Sequence, residues 1–316
     1  MSEVEVMKPI GEVFQEMMQS NPGLMKRMND ARESLESNPI EILTSPSDEC
    51  PYKKCDGKGW LWIKDWSRLG KKDELDENGK LLRAEWMEQC KCYEQLIKQR
   101  EVDKKLDLSG IPSIFKNATV ASFEVSKYQL KTNQDIATLA RKAAINYVTN
   151  YKLMQQSGKG LYLYSKVKGS GKTRLAVSIA NALVREYGID VAFIKSADLI
   201  SQIKKTFNKK SETTQSEIVD TFRNVELLIV DDLAIKGAST FEEGVMYDIF
   251  DFRLEHKKPT IFTSNVTILE LEEIYKGGRV NKRINKMSME INMPEESIRD
   301  QEAESENAEL EGLLFG

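Results

Sequence analysis

Between about residue 113 and residue 294, short apolar runs alternate with longer amphipathic segments. The runs have the length of buried strands, and the segments place apolar residues three or four positions apart, as amphipathic helices do. Because strands that alternate with helices form a parallel sheet, the pattern predicts an α/β fold with a parallel sheet flanked by helices. The predicted strands are Leu161–Tyr164, Val191–Lys195, Glu226–Val230, Thr260–Ser264 and Met289–Met293.

A different pattern precedes this region. Residues 1–45 place apolar residues at helical spacing, and Ser109-Gly110-Ile111-Pro112 ends a later charged helix, since Gly and Pro disfavour its continuation. We therefore predict an amino-terminal domain at 1–108, an α/β domain at 109–294 and a separate tail at 295–316. The apolar residues of the first segment are Phe14, Met17, Met18, Leu24, Met25 and Met28.

The formal net charge of −4 is unevenly distributed. Residues 295–316 contain eight acidic residues and one arginine, so this tail carries −7 and the rest of the chain +3. A short acidic tail is typical of a solvated, disordered end, and a mildly basic body permits nucleic-acid contact without requiring it. The chain has no apolar run long enough for a bilayer and no secretory signal pattern, so we expect a cytoplasmic protein without membrane contact.

A glycine-rich turn follows the first predicted strand of the α/β domain and precedes a helix. Glycines let backbone N–H groups face phosphate oxygens, and the amino end of the helix adds partial positive charge. In such a loop the lysine lies beside the β- and γ-phosphates and the threonine hydroxyl binds Mg²⁺. The alternative is an ordinary Gly-Ser turn before a helix. The residues of the turn are Gly169, Ser170, Gly171, Lys172 and Thr173.

The start of this loop departs from the usual spacing. The first glycine of the pattern would stand at position 166, where the chain has Lys166, and using Ser165 instead requires one inserted residue. The loop therefore begins in an atypical way over residues 165–168.

Polar residues end the next two strands of the predicted sheet. Asp231 and Asp232 end the apolar strand 226–230, and Asn265 follows the strand 260–264. Ligands bind at the carboxyl ends of parallel strands, so we predict that Asp231 holds Mg²⁺ and Asp232 orients a water molecule. Asn265 would hydrogen-bond the γ-phosphate or that water. A turn that caps the strand is the alternative for each of the two motifs.

Three arginines follow these strands. Arg279 and Arg283 are four residues apart and share a face of a predicted helix, and Arg299 follows the last strand. An arginine can stabilise the charge of phosphoryl transfer from the same subunit or from a neighbour. Head-to-tail contacts of that kind build rings or spirals. A solvated basic face is the alternative.

All four cysteines and all four tryptophans lie in one short block. Cysteines in a chain of this kind favour metal binding over disulfides, and four thiolates suit a closed tetrahedral Zn²⁺ site. Reduced buried cysteines and a redox pair are the alternatives. The tryptophans are expected to form a small core around this site. The cysteines are Cys50, Cys55, Cys90 and Cys92, and the tryptophans are Trp60, Trp62, Trp66 and Trp86.

A lysine-rich segment follows the second predicted strand. Lysines around an aromatic residue suit the phosphates and bases of single-stranded nucleic acid, whereas lysines at an exposed helix end are the simpler interpretation. The segment contains Lys204, Lys205, Phe207, Lys209 and Lys210.

In this order, the motifs resemble those of the DnaC/DnaI-type replicative helicase loaders, a branch of the AAA+ P-loop ATPases close to the IstB transposition helpers that also has phage-encoded members. The resemblance covers roughly residues 50–300 and is strongest over 109–299. It is carried by the cysteine block, SGIP at 109–112 with Phe115 and Phe123 downstream, GLYLYSKVKGSGKT, ELLIVDDL, FTSN, RVNKR and SIR.

The resemblance implies a carboxyl domain that hydrolyses ATP and assembles into an ATP-dependent homo-oligomeric spiral. It implies an amino domain with a zinc site over 50–92 that binds a DnaB-type replicative helicase, and places a DNA-contacting insertion at 197–210. It also implies residue roles: Lys172 and Thr173 form Walker A, Asp231 and Asp232 Walker B, Asn265 sensor 1, Arg283 the arginine finger and Arg299 sensor 2.

The leading hypothesis is therefore a loader that places a DnaB-type helicase on single-stranded DNA, using ATP, Mg²⁺ and Zn²⁺. One alternative is an IstB-like transposition helper, which would bind double-stranded DNA and a transposase. Another, prompted by the atypical loop, is an adaptor that binds nucleotide without hydrolysing it.

Overall fold

The computed structural model describes residues 39–68, 83–207, 214–233 and 238–315, together with the single positions 20, 23, 26, 33, 75, 79 and 81. The chain divides into two compact units, 1–100 and 101–316. The first unit ends inside helix α1 (Tyr93–Leu108), and the predicted boundary at 108 coincides with the end of that helix. The six apolar residues that predict amino-terminal helices lie outside the described residues.

The first unit contains a three-stranded antiparallel sheet in the order β1-β2-β3. Its strands are β1 (Ile40–Ile42), β2 (Trp60–Asp65) and β3 (Glu85–Gln89). Alternate residues of a strand face opposite sides of the sheet, so Leu61 and Ile63 of β2 pack with the four buried cysteines.

The expectation of a tryptophan core around the cysteines is wrong for three of the four tryptophans. Trp60 and Trp62 lie on the other face of β2, where they are 36% and 49% exposed. Trp86 packs against the core from β3. The indole N–H of Trp66 donates to Glu41 at 2.7 Å. Strand alternation therefore leaves the cysteines, Leu61 and Ile63 as the buried centre of this unit.

The second unit is built on a five-stranded sheet in the order β5-β6-β7-β4-β8, with every neighbouring pair parallel. This sheet, with helices on both faces, is the predicted fold class, which is confirmed. The strands are β4 (Gly160–Tyr164), β5 (Val191–Lys195), β6 (Leu227–Leu233), β7 (Thr260–Ser264) and β8 (Ser288–Asn292).

The sheet packs against its helices through two hydrophobic cores, one on each face. The helices are α2 (Lys131–Thr149), α3 (Tyr151–Ser157), α4 (Lys172–Tyr187), α5 (Ser196–Lys205), α6 (Gln215–Asn224), α7 (Thr240–Glu255), α8 (Leu271–Ile274) and α9 (Arg279–Met287). Leu163, Ile229 and Ile261 face a core built with α2, α3 and α4, whereas Val230 and Phe262 face a core built with α5, α6, α7 and α9. Since all five strands run in one direction, their carboxyl ends meet at one edge of the sheet.

The acidic tail forms a helix, α10 (Ile298–Phe315), so the expectation of a disordered end is wrong. The backbone N–H of Ile298 donates to the carbonyl of Gly169 at 3.0 Å, which ties the start of the helix to the glycine-rich loop. The Ser297 hydroxyl accepts from the N–H of Asp300 and caps the first turn. Lys127 binds Glu302 at 2.6 Å one turn later. These tertiary contacts order a segment whose composition alone favours disorder.

None of the helices in the described part of the chain combines the length and the apolar character that a bilayer crossing requires.

Candidate nucleotide site

The glycine-rich loop connects β4 to α4, so it lies at the carboxyl edge of the sheet and at the amino end of a helix. Gly169 and Gly171 have φ values of +79° and +91°. A Cβ at position 169 would lie 2.5 Å from the Ser297 hydroxyl, and one at position 171 would lie 3.0 Å from both Phe123 and Tyr128. Both positions therefore require glycine for conformation and for space.

The atypical start of the loop has a structural explanation. The buried Ser165 hydroxyl donates to the carbonyl of Pro294 at 2.9 Å and accepts from the N–H of Val167 at 3.1 Å. Lys166 is not among the non-glycine residues with positive φ in the described part of the chain. Position 166 therefore does not depend on glycine, and Ser165 fixes the first turn of the loop.

Lys172 occupies the first position of α4, with its side chain folded over the loop. Its Nζ donates to the carbonyl oxygens of Val167 at 2.8 Å and Ser165 at 3.1 Å, and it lies 3.3 Å from the Ser170 hydroxyl. Burial lowers the pKa of Lys172 to about 8, against the opposing effect of nearby carboxylates. The ammonium is therefore mostly charged at pH 7 and available to phosphate oxygens inside the loop.

The two predicted Mg²⁺ ligands lie side by side. The Thr173 hydroxyl donates to Oδ1 of Asp231 at 2.7 Å, although the residues are 58 positions apart. Asp231 is 2% exposed, and burial raises its pKa while hydrogen bonds from Thr263 and Thr173 lower it. A hydroxyl and a carboxylate in contact at a phosphate loop are a donor set suited to Mg²⁺.

Asp232 lies beside this pair in a strained conformation. Its φ is +52°, in the left-handed region, at a point where the pairing of β6 with β7 shifts register between Val230 and Leu233. A non-glycine residue in this region next to a ligand cavity is a recurring feature of functional sites. Asp232 lines that cavity together with Asp231.

The cavity has a volume of about 550 Å³, within the range of small-molecule sites. Its lining includes the apolar residues Phe115, Phe123 and Ile298 as well as the loop and the two aspartates. The Tyr128 hydroxyl donates to the carbonyl of Ser170 at 2.9 Å, so this lining residue contacts the loop directly. The sequence motifs did not assign roles to these apolar residues, because they carry no spacing typical of a ligand site.

Two further predicted residues line the cavity, and the two arginines of α9 do not. Asn265 and Arg299 line it, and Oδ1 of Asn265 is buried without a hydrogen-bond partner among the described residues. Arg283 lies on α9, where its Nε donates to Asp251 at 2.7 Å and its guanidinium contacts Tyr247. Arg279 lies 5.8 Å from the ring of that tyrosine. Within one chain, neither α9 arginine lines the cavity.

The predicted nucleic-acid lysines are only partly described. Lys204 and Lys205 lie in the last turn of α5, and Lys204 binds Glu242 at 3.1 Å. Lys209 and Lys210 lie outside the described residues. The contact with Glu242 shows that Lys204 also has a partner within its own unit.

The four cysteines converge in the first unit, outside the nucleotide site. Their sulfur atoms lie within 4.8 Å of one another, with Sγ–Sγ distances of 3.8 Å (Cys50–Cys90), 3.8 Å (Cys50–Cys92) and 3.4 Å (Cys55–Cys92). A Zn–S bond of about 2.3 Å gives a tetrahedron with edges of about 3.8 Å. All four are buried free cysteines.

The thiol chemistry also suits a metal. Backbone N–H groups of Lys54 and Cys55 lower the pKa of Cys50 to about 6, whereas burial raises the pKa of Cys92. One sulfur of the cluster is therefore held in a setting that favours thiolate. The residues present fit Zn²⁺.

Comparison with known proteins identifies the family. The family model described as "IstB-like ATP binding protein" matches residues 84–305, which is more than half of the chain. The chain belongs to the IstB-like ATP-binding protein family. This IstB-like protein therefore has an ATP-binding P-loop fold.

Curated relatives of this IstB-like protein are named replicative helicase loader DnaC. The protein from Buchnera aphidicola subsp. Baizongia pistaciae is 29% identical over 187 residues, covering 59% of this chain and 71% of the relative. The protein from Escherichia coli strain K12 is 27% identical over 184 residues, covering 58% and 69%.

A solved structure from Streptococcus pyogenes serotype M3, named as a candidate primosome component, is 25% identical. It superposes with a TM-score of 0.50 and covers 62% of this chain and 96% of its own. The predicted resemblance to DnaC/DnaI-type proteins is confirmed.

Proposed function

We propose that this protein is an ATP-dependent loader that delivers a DnaB-type replicative helicase to single-stranded DNA. Its similarity to proteins named replicative helicase loader DnaC supports this function. The single structural observation that carries it is the hydrogen bond between Thr173 and Asp231, because it joins the phosphate loop and the acidic strand in one nucleotide site.

ATP hydrolysis is part of the proposal. Thr173 and Asp231 would hold Mg²⁺, which neutralises charge on the β- and γ-phosphates. Lys172 would bind the same phosphates, and the carboxylate of Asp232 would accept a hydrogen bond from the attacking water. The unpartnered oxygen of Asn265 gives it an acceptor for that water.

The arginines divide between two roles in this proposal. Arg299 lines the cavity and would contact phosphate in its own chain. Arg283 lies outside the cavity, bound to Asp251, so it would act on the nucleotide of a neighbouring subunit. That arrangement is head-to-tail and supports an ATP-dependent homo-oligomeric spiral.

The cysteine cluster supports a loader over a transposition helper. Cys50, Cys55, Cys90 and Cys92 would hold Zn²⁺ as a structural ion, with four thiolates and no open position for catalysis. The unit that it stabilises would bind the helicase, and Lys204 and Lys205 of the second unit would contact single-stranded DNA.

A loading assay with the full chain tests this function. Circular single-stranded DNA is incubated with the cognate DnaB-type helicase, ATP and the tagged protein, and the helicase recovered on the DNA is measured. We expect recovery to depend on the wild-type chain and to be lost with Lys172→Ala. The matched control is Lys152→Ala, which removes an exposed lysine on α3 away from the cavity.

The proposal fails if no complex with the helicase forms in ATP, in ADP or without nucleotide. Preferential binding of double-stranded DNA, with no effect on helicase recovery, would instead support a transposition helper. Loading that proceeds without any ATP turnover would support the non-hydrolysing adaptor.

A further inference from the structure

Thr263 contacts both of the adjacent aspartates although it belongs to a different strand. It lies on β7, between β4 and β6 in the sheet, and is fully buried. Its hydroxyl donates to Oδ1 of Asp231 at 2.7 Å and accepts from the backbone N–H of Asp232 at 2.9 Å. A single hydroxyl therefore fixes the side chain of one aspartate and the main chain of the next.

The backbone of Asp232 needs such support. Its positive φ interrupts the regular pairing of β6 with β7, and a residue held there persists only when its surroundings fix it. The Ser196 hydroxyl donates to the carbonyl of Asp232 at 2.7 Å from the start of α5. Thr263 thus binds the backbone N–H of Asp232, and Ser196 binds its backbone carbonyl.

The conformation decides where the carboxylate of Asp232 lies. In a regular strand, successive side chains face opposite sides of the sheet, so Asp231 and Asp232 would face opposite layers. In the observed bulge both aspartates line the nucleotide cavity. At this register shift, the backbone N–H of Asp232 is satisfied by the side chain of Thr263.

We propose that Thr263 is a positioning residue that sets both aspartates for Mg²⁺ binding and for water activation. The inference rests on the roles proposed above for Asp231 and Asp232. A hydroxyl has one proton to donate and lone pairs to accept, so Thr263 serves both aspartates at once. Serine can do the same, whereas valine, of nearly the same shape, can do neither.

The test compares Thr263→Val and Thr263→Ser with the wild-type full chain. The readouts are affinity for a fluorescent ATP analogue in EDTA and in Mg²⁺, and kcat and KM for ATP hydrolysis with DNA and helicase present. We expect T263V to bind in EDTA within about twofold of wild type. Its gain in affinity from Mg²⁺ and its kcat should each fall about 10- to 100-fold, the size expected for hydrogen bonds to a charged group. T263S should restore both the gain in affinity from Mg²⁺ and kcat to near the wild-type values.

Thr260→Val is the matched control. Thr260 lies on the same strand, is equally buried, and its hydroxyl accepts from Nε of Arg253 instead of contacting an aspartate. We expect T260V to lower the melting temperature while leaving the Mg²⁺ gain and kcat close to wild type. If T263V does not fold, Thr263→Ala replaces it with the same expectation.

Ser196→Ala separates the two contacts. The Ser196 hydroxyl donates to the backbone carbonyl of Asp232 and, among the described hydrogen bonds, contacts neither aspartate carboxylate. S196A should therefore lower kcat and leave the Mg²⁺ gain unchanged. T263V with a wild-type Mg²⁺ gain and a wild-type kcat overturns the role of Thr263 and leaves the loader function standing. A wild-type chain that neither hydrolyses ATP nor binds it more tightly in Mg²⁺ overturns both the role of Thr263 and the proposed loader function.

Discussion

Removal of metal from the cysteine cluster is expected to unfold the first unit and to leave the nucleotide site intact. The perturbation is either a strong zinc chelator or the substitution Cys55→Ser, which replaces a fully buried ligand. The second unit has its own two cores, built from residues beyond 101, so its nucleotide binding should continue.

The size of the first unit's core indicates how much folding free energy the zinc ion must supply. Burial of Leu61 and Ile63 contributes about 3–6 kcal/mol. Ordering the eleven residues of β2 and β3 costs about 11–22 kcal/mol in backbone entropy. A structural zinc ion contributes about 10–16 kcal/mol, which is close to the difference. We therefore expect this core to be too small to keep the first unit folded without metal.

Tryptophan fluorescence is the assay, because all four tryptophans of the chain lie between residues 60 and 86. We expect one zinc per chain by elemental analysis, and a red shift of the emission on chelation as Trp86 leaves the core. Binding of a fluorescent ATP analogue, measured in the same sample, should change by less than about twofold.

Two results would refute this reasoning. Protein purified without chelator that contains no metal and still shows the native emission would mean that the cysteines are simply buried thiols. Emission that responds to a reductant and not to a chelator would favour a redox pair.

Two further predictions concern arginines. Arg253 is fully buried and donates hydrogen bonds to the Thr260 hydroxyl and to four backbone carbonyls. We therefore expect Arg253→Met to lower the free energy of unfolding by about 3–5 kcal/mol and the melting temperature by about 10 °C. The control Arg223→Met removes partly exposed ion pairs and a contact with the ring of Phe252, and should shift the melting temperature by no more than about 3 °C. Equal shifts for the two variants would contradict the argument. The Arg283→Ala variant should bind ATP normally and lose ATP hydrolysis. Mixing it with the Lys172→Ala variant should restore part of the hydrolysis. If the mixture shows no hydrolysis, a site shared between subunits is excluded.

The sequence predicts the elements of the α/β unit closely. Two predicted strands, Val191–Lys195 and Thr260–Ser264, have the observed bounds, and the others differ by one to three residues. The order of strand, glycine-rich loop and helix is also as predicted. These features depend on the spacing of apolar residues and on glycine conformation, which are local properties of the chain.

The sequence alone could not place residues whose role depends on a distant neighbour. Trp60 and Trp62 have the composition of a core, but the register of β2 turns them outward. The tail has the composition of a disordered end, but contacts with Gly169 and Lys127 order its start as a helix.

The sequence by itself determined that a phosphate loop and an acidic strand occur in one α/β domain. Only the tertiary structure decided that Thr263 joins Asp231 to Asp232, and that Arg283 lies outside the cavity of its own chain. The physical reason is strand order: β7 lies between β4 and β6, and no local pattern specifies which strands become neighbours.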